Sequence, residues 1–281
     1  TRISEIISMT EMTVRDLRNY AATFKENIPM PGQFLVEAVK HQAERLERFY
    51  GISVEMTSHI SPLLSGRLAA EEHLKNAGEY AIPFMLDALA DESRKDEFAN
   101  ITSAIPKIGR SAVRPLVAAL QTDNVAVQSE IVRALGLLGY PEALGYLKFV
   151  VEKDGSETLR QLATQAIEKI DATAMKLPAA ELLFMLGESY YNHAESVAAS
   201  TDYSFANIWF WDAKQGRLVR EEVDLKYFNE LMSMRCCEWA MKADADMGKA
   251  IALWIASFFK AESAGIQQPE YFGPDHADAM T

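Results

Sequence analysis

The sequence predicts an all-α fold, an α-α superhelix of stacked helical hairpins with a small β-hairpin insertion. Three observations carry this. Gly78, Gly109 and Gly139 fall 31 and then 30 residues apart, and each ends an apolar helical pattern. The apolar positions around them keep the same period: Leu74, Ile105, Leu135 and Ile167 in one series, Ile82, Val113 and Leu144 in a second, Leu89, Leu120 and Val151 in a third. Only one stretch, at 207–220, reads as paired strands. The composition agrees with a packed chain: 49% of the 281 residues are apolar, against 14 glycines and 10 prolines, too few for a fibrous or wholly disordered protein.

Taken in order, residues 1–65 predict two helices that cap the open end of the stack. Val14, Leu17, Ala21 and Phe24 share a face, with Thr13 and Asp16 placed to cap its start, while Leu35, Val39, Gln42, Leu46 and Phe49 mark the second. Pro29-Met30-Pro31-Gly32 separates the two. Residues 66–176 carry the repeats, each a helix A, a short turn and a helix B. Val113, Leu116, Val117 and Leu120 line one face of an A helix, and Val127, Ile131, Ala134, Leu135 and Leu138 one face of a B helix. One hairpin cannot bury both faces, so neighbours must stack. Pro83 and Pro115 sit near A-helix starts, where a missing N–H costs little.

Residues 177–264 form a C-terminal helical part with the β-hairpin at 207–220, and 265–281 an extended tail. Ile208-Trp209-Phe210-Trp211-Asp212, a turn through Gly216 and Arg217-Leu218-Val219 form the hairpin; its first strand is apolar on both faces and must be covered on both. Leu225, Phe228, Met232, Cys236 and Trp239 keep helical spacing across 224–242, and 250–261 is apolar nearly all round, which predicts a buried helix.

The stretch 127–170, "VQSEIVRALGLLGYPEALGYLKFVVEKDGSETLRQLATQAIEKI", resembles HEAT repeats, above all the short bacterial kind of the phycobilisome lyases. The resemblance rests on Ala134-Leu135-Gly136-Leu137-Leu138-Gly139 and on Pro141-Glu142-Ala143 opening the next A helix; "RLAAEEHLKNAG" at 67–78 resembles an earlier B helix. The family's usual Arg after the B-helix valine is Gln128 here, and Arg160 keeps it one repeat later. "AELLFMLGESYY" at 180–191 and "AMKADADMGKA" at 240–250 resemble parts of tetratricopeptide repeats, with Ala245 where Pro is usual.

Charge and motifs then bound function. Lys and Arg number 28 against 40 Asp and Glu, a net charge of −12, which lacks the basic footprint of a nucleic-acid binder and disfavours anionic lipid. The longest largely apolar run, 251–259, is too short to span a bilayer. The adjacent Cys236 and Cys237 do not bridge each other, so there is no disulfide framework, and a reducing, cytoplasmic setting is the default. The chain begins at Thr1 rather than Met, as a piece of a longer protein would. No HExxH, phosphate loop or GxSxG elbow is present. No histidine is followed by Glu, so the His-Glu dyad of the iron hydroxylases built on HEAT repeats is missing. Asp244 and Asp246 open like a calcium loop, but Ile255 stands where its final Glu belongs. The richest polar cluster is "ESYYNHAE" at 188–195, where Glu188, Asn192 and Glu195 share a helical face and His193 diverges from it.

The expected function is therefore a non-enzymatic scaffold that binds a protein partner on the concave, B-helix face of the solenoid, with no catalytic residues, cofactor or metal. Aligning the repeats stacks Glu72, Ser103, Arg133 and Gln165 in one outward column on the B helices, with Gln161 one turn before Gln165. These five are the candidate partner-binding residues, and the partner is a protein. The alternative implied by the resemblance is a lyase-like enzyme acting on a chromophore or protein side chain; a nucleic-acid binder comes third.

Overall fold

A computed structural model describes residues 74–201 and 203–266. The chain divides into two compact units, Thr1–Ala81 and Ile82–Thr281. The expected capping helices of 1–65, candidate residue Glu72 and the tail beyond Ile266 lie outside the described residues. In the first unit, the described residues are a helical turn at 74–77 and a short 3-10 helix, Gly78–Ala81.

The second unit is built from helical hairpins. The A helices are α1 (Ile82–Ala90), α3 (Val113–Ala119), α5 (Leu144–Lys153) and α7 (Ala179–Tyr191); the B helices are α2 (Phe98–Ile108), α4 (Val125–Leu138) and α6 (Glu157–Asp171). The sequence period is the packing period. Ile105, Leu135 and Ile167 are fully buried on successive B helices, and Ile82, Val113 and Leu144 are buried at the A-helix starts. Each such side chain stabilises the fold by about 1.5–3 kcal/mol through burial. The repeat glycines have the conformation their spacing implies: Gly78, Gly109 and Gly139 have φ of 59°, 80° and 75°, left-handed values that end or redirect a helix and that glycine adopts without a Cβ clash.

Caps set the starts of the B helices. Asn124 Oδ1 accepts from Ala126 N and Val127 N at 3.1 and 3.2 Å, and Ser156 Oγ accepts from Leu159 N at 3.4 Å. Gln128, the departure from the family pattern, closes off a helix end. Its Nε2 donates to Leu120 O at 3.0 Å, satisfying a carbonyl at the end of α3. Arg160 makes no equivalent bond and pairs with Glu157 on its own helix. Polar ties also follow the repeat: Arg110 Nε donates to Glu142 Oε1 at 2.7 Å and Thr102 Oγ1 to Glu130 Oε2 at 3.0 Å, each joining one repeat to the next.

After α7 the pattern changes. Strands β1 (Phe205–Asp212) and β2 (Arg217–Asp224) pair antiparallel with Ile208 opposite Glu221 and Phe210 opposite Val219. The hairpin is longer than its apolar centre suggested, because the backbone ladder continues through polar residues at both ends. Asn207, Ile208, Trp209 and Phe210 are all buried, as a strand apolar on both faces requires. The long helix α8 (Leu225–Ala243) follows at once, capped by Asp224, whose Oδ1 accepts from Lys226 N at 2.9 Å. The hairpin packs on α1, α3 and α8, and α8 packs on α5 and α7, so both lie against the A helices. On α8, Trp239 meets Tyr146 and Phe149 of α5 edge to face at 5.4 and 5.1 Å, and the Arg114 guanidinium of α3 sits 5.0 Å from the Phe228 ring centre.

The last described helix, α9 (Gly248–Ser263), corrects the expectation of a buried helix. Only Ala250, Ser257 and Ala261 are buried, while Ile251, Ile255 and Phe259 are 43%, 45% and 61% exposed. The reason is positional: α9 packs on α8 and α7 along one stripe, so an apolar periphery in the sequence does not become a second buried face.

Two close approaches test this packing. A Cβ on Gly136 would fall 2.8 Å from Ala166 Cβ and 3.0 Å from its Cα. Gly136→Ala must therefore separate α4 from α6, and overpacking of this kind costs about 1–3 kcal/mol; urea denaturation should show that loss. Cys236 and Cys237 are both fully buried, and burial pushes each thiol from 9.0 up to about 12. Burial also raises the Tyr146 and Tyr190 phenols. Below about pH 9 these groups are protonated in both native and unfolded chain and add no pH dependence. Above it the unfolded chain releases protons the native state retains, so stability should fall as pH rises from about 9 towards 12. At pH 8 neither native thiol should react with an aromatic disulfide reagent within the time in which both react in urea.

Candidate functional site

Four of the five predicted residues are among those described, and all four are exposed on B helices: Ser103 on α2, Arg133 on α4, Gln161 and Gln165 on α6. These helices lie side by side, α2 against α4 and α4 against α6. Arg133 is held there. Its Nη1 donates to Glu130 Oε1 at 2.5 Å, and the other oxygen of Glu130 accepts from Thr102 on α2. A carboxylate anchored to the preceding repeat thus orients the guanidinium, with one side still open to solvent. Gln161 Nε2 donates to Glu157 Oε1 at 3.1 Å, and Arg160 pairs with the same carboxylate. Arg160 first and Gln161 second hold the Glu157 carboxyl below its usual range. Ser103 Oγ turns back to Asn100 O at 2.8 Å and so presents less of its hydroxyl outward. The face is accordingly mixed in charge, with amide and guanidinium donors on α4 and α6.

The polar cluster at 188–195 is arranged differently from the expectation. Helix α7 ends at Tyr191, so Glu195 does not share a helical face with Glu188 and Asn192; it lies in a separate 3-10 turn, Glu195–Val197. The chain leaves through a Schellman motif: Ala194 N donates to Ser189 O at 2.9 Å and His193 N to Tyr190 O at 2.9 Å. The left-handed position of such a motif favours glycine, yet it is His193 with φ of 53°, a conformation that costs about 1 kcal/mol.

The imidazole lies where two further helices converge. His193 Nε2 is 2.6 Å from Glu230 Oε1 of α8 and 2.9 Å from Lys260 Nζ of α9. Lys260 Nζ also lies 3.1 Å from Glu230 Oε1 and donates to Tyr191 O at 2.8 Å. Glu230 is 2% exposed, and its Oε2 has no hydrogen-bond partner. A buried carboxylate of this kind depends on its cation, so the trio is a clasp between the end of α7, α8 and α9. Glu230 escaped the sequence reading although a signal was present. It sits three residues after Tyr227 and four before Met234, both buried, which puts an acid on the buried stripe of a helix. Among the described residues, no three His, Cys, Asp or Glu side chains converge to hold a metal ion, and no helix is long and apolar enough to cross a membrane.

The clasp makes a ranked prediction. Lys260→Ala leaves the buried Glu230 carboxylate without its cation and should cost about 3 kcal/mol, as breaking a buried pair does. His193→Gly should change stability by less than about 1 kcal/mol, because relief at the left-handed position offsets the loss of a half-exposed partner. Urea denaturation of the two variants gives the order directly.

Comparison with known proteins bears on the repeats. The family model for HEAT repeats matches residues 72–168. No curated protein matches the chain significantly. The match is to HEAT repeats in general and ends before α7, so the resemblances to phycobilisome lyases and to tetratricopeptide repeats rest on the quoted residues alone. Repeats of matching period, left-handed glycines at the helix ends and stacked hairpins agree with that match, and residues 72–168 are a HEAT-repeat segment of the chain.

Proposed function

We propose that the protein is a non-enzymatic scaffold that binds a segment of a partner protein on its B-helix face. One observation carries this reading. The hairpin and α8, the non-repeating additions, pack against the A helices, while Ser103, Arg133, Gln161 and Gln165 stay exposed on α2, α4 and α6. HEAT repeats commonly serve as protein-interaction scaffolds, and a row of parallel helices presents one donor set per repeat to an extended ligand. Arg133 is the centre of the proposed contact. It is oriented by Glu130 and still half exposed, so it can meet a carboxylate or a backbone carbonyl without first losing much side-chain freedom.

The partner is identified by co-purification of the full-length protein with mass spectrometry. The triple variant Arg133→Ala, Gln161→Ala, Gln165→Ala then tests the face. All three positions are exposed, so the thermal midpoint should be unchanged while partner affinity falls at least tenfold. Unchanged affinity would remove this column from the binding surface. Turnover of a substrate by the purified protein would overturn the non-enzymatic reading.

A further inference from the structure

A second cleft lies on the A-helix side, between the turns that open two successive A helices and the segment after α7. Its polar part is a cavity of about 180 Å³ lined by Arg110, Ser111, Arg114, Glu142, Tyr190 and Ser200. A larger cavity of about 320 Å³ adjoins it, sharing Arg110, Glu142 and Val197, and its walls are mainly apolar: Leu144, Leu182, Met185 and Leu186 contribute.

The charges in the polar part do not balance. Glu142 is taken by Arg110, which forms an ion pair with it. Arg114 is part-buried and makes neither an ion pair nor a hydrogen bond with any described residue; its Nη1 is buried without a partner. Among the described residues it rests on the Phe228 ring, which fixes the plane of the guanidinium. Burial keeps the Tyr190 phenol protonated well above its ordinary range, so it remains a donor beside the two arginines at any physiological pH. A guanidinium already partly removed from water has lost part of its hydration without gaining an acceptor. An anionic ligand would supply that acceptor. The Arg110–Glu142 pair in the same wall shows that the cleft accommodates guanidinium and carboxylate together.

We propose that this cleft binds an acidic protein segment, with an Asp or Glu carboxylate against Arg114 and a neighbouring apolar side chain in the adjoining cavity beside Met185 and Leu186. Two features select this occupant. The unbalanced positive charge at Arg114 calls for an anion. The apolar cavity continuous with it calls for a chain that carries an apolar group within a few ångströms of the charge, which a bare inorganic anion lacks. Met185 is 47% exposed and forms the open lip of the apolar half. The cleft is independent of the B-helix face, because no residue of that column lines either cavity.

The experiment uses the full chain and two synthetic peptides, acetyl-Leu-Leu-Glu-Leu-amide and its Gln counterpart, with inorganic phosphate as a third ligand, all titrated by calorimetry. The Glu peptide should bind at least tenfold more tightly than the Gln peptide and than phosphate. Arg114→Gln should abolish that preference. Arg114 stacks on a core ring, so a second variant guards against a loss of folding. Ser111→Asp places a carboxylate at the cleft without touching Phe228, and it too should abolish the preference with the thermal midpoint unchanged. Met185→Glu should weaken the Glu peptide at least fivefold. Equal binding of the two peptides, no binding of either, phosphate binding as tightly as the Glu peptide, or a preference that survives in both Arg114→Gln and Ser111→Asp would overturn the proposal.

Discussion

Helix α8 is laid across the A helices through a run of large side chains, and most of the chain beyond α7 depends on that contact. Phe228, Leu231, Met234, Cys236 and Cys237 are at most 1% exposed, and Trp239 wedges between Tyr146 and Phe149. A two-stranded hairpin is marginal by itself in water. Here it gains a floor, because α8 begins at the residue after β2, and Arg235 reaches back with its guanidinium 4.1 Å from the Phe210 ring centre and an Nη2 that donates to Trp209 O at 3.3 Å. The same helix supplies Glu230 to the clasp that holds the end of α7 and α9. Hairpin, α8 and α9 are thus one cooperative attachment on one side of the repeats.

That asymmetry divides the chemistry of the molecule. On the B-helix side the side chains are solvated, short-range and exchangeable: Glu130 with Arg133, Glu157 with Arg160 and Gln161. Pairs of this kind add little to stability and are free to exchange internal partners for external ones. On the A-helix side the polar groups are few and enclosed, and each matters more because water does not compensate it. Glu230 depends on Lys260, and Arg114 depends on a ring. The binding proposed on the first side rests on availability, whereas that proposed on the second rests on incompletely satisfied groups.

The repeats were legible in the sequence because they obey one rule many times over. A period near 31 in Gly109, Gly139 and the apolar positions about them fixes hairpin length, core phase and the left-handed turns together, and each instance corroborates the others. The hairpin was legible through Gly216 and the apolar run at 208–211, and α8 through helical spacing. Helix α9 was misread because an apolar composition reports what could be buried, not whether a neighbour exists to bury it. The end of α7 was misread for a related reason: His193 occupies a position where glycine is the usual signal, so nothing in the sequence announced the turn. The exposed column on α2, α4 and α6 could be placed by register alone, since exposure on a B helix is a local property of the repeat. Glu230 with His193 and Lys260, and Arg114 with Phe228, could not. Those partners are between 30 and 114 positions apart, and no periodicity links them.

One consequence of α8 concerns mechanics. A stack of hairpins held only by nearest-neighbour contacts behaves as a spring, each joint contributing a little compliance. Helix α8 touches α3 through Phe228, α5 through Trp239 and Cys236, and α7 along much of its length. It therefore bridges joints that would otherwise flex independently, as a splint does. Widening or narrowing the spacing of the B helices on the far side would require the A helices to pivot, and that would shear aromatic contacts along the splint. The spacing of Ser103, Arg133 and Gln165 is thus set from the A-helix side, and a partner of the proposed kind would meet a ruler of fixed graduation.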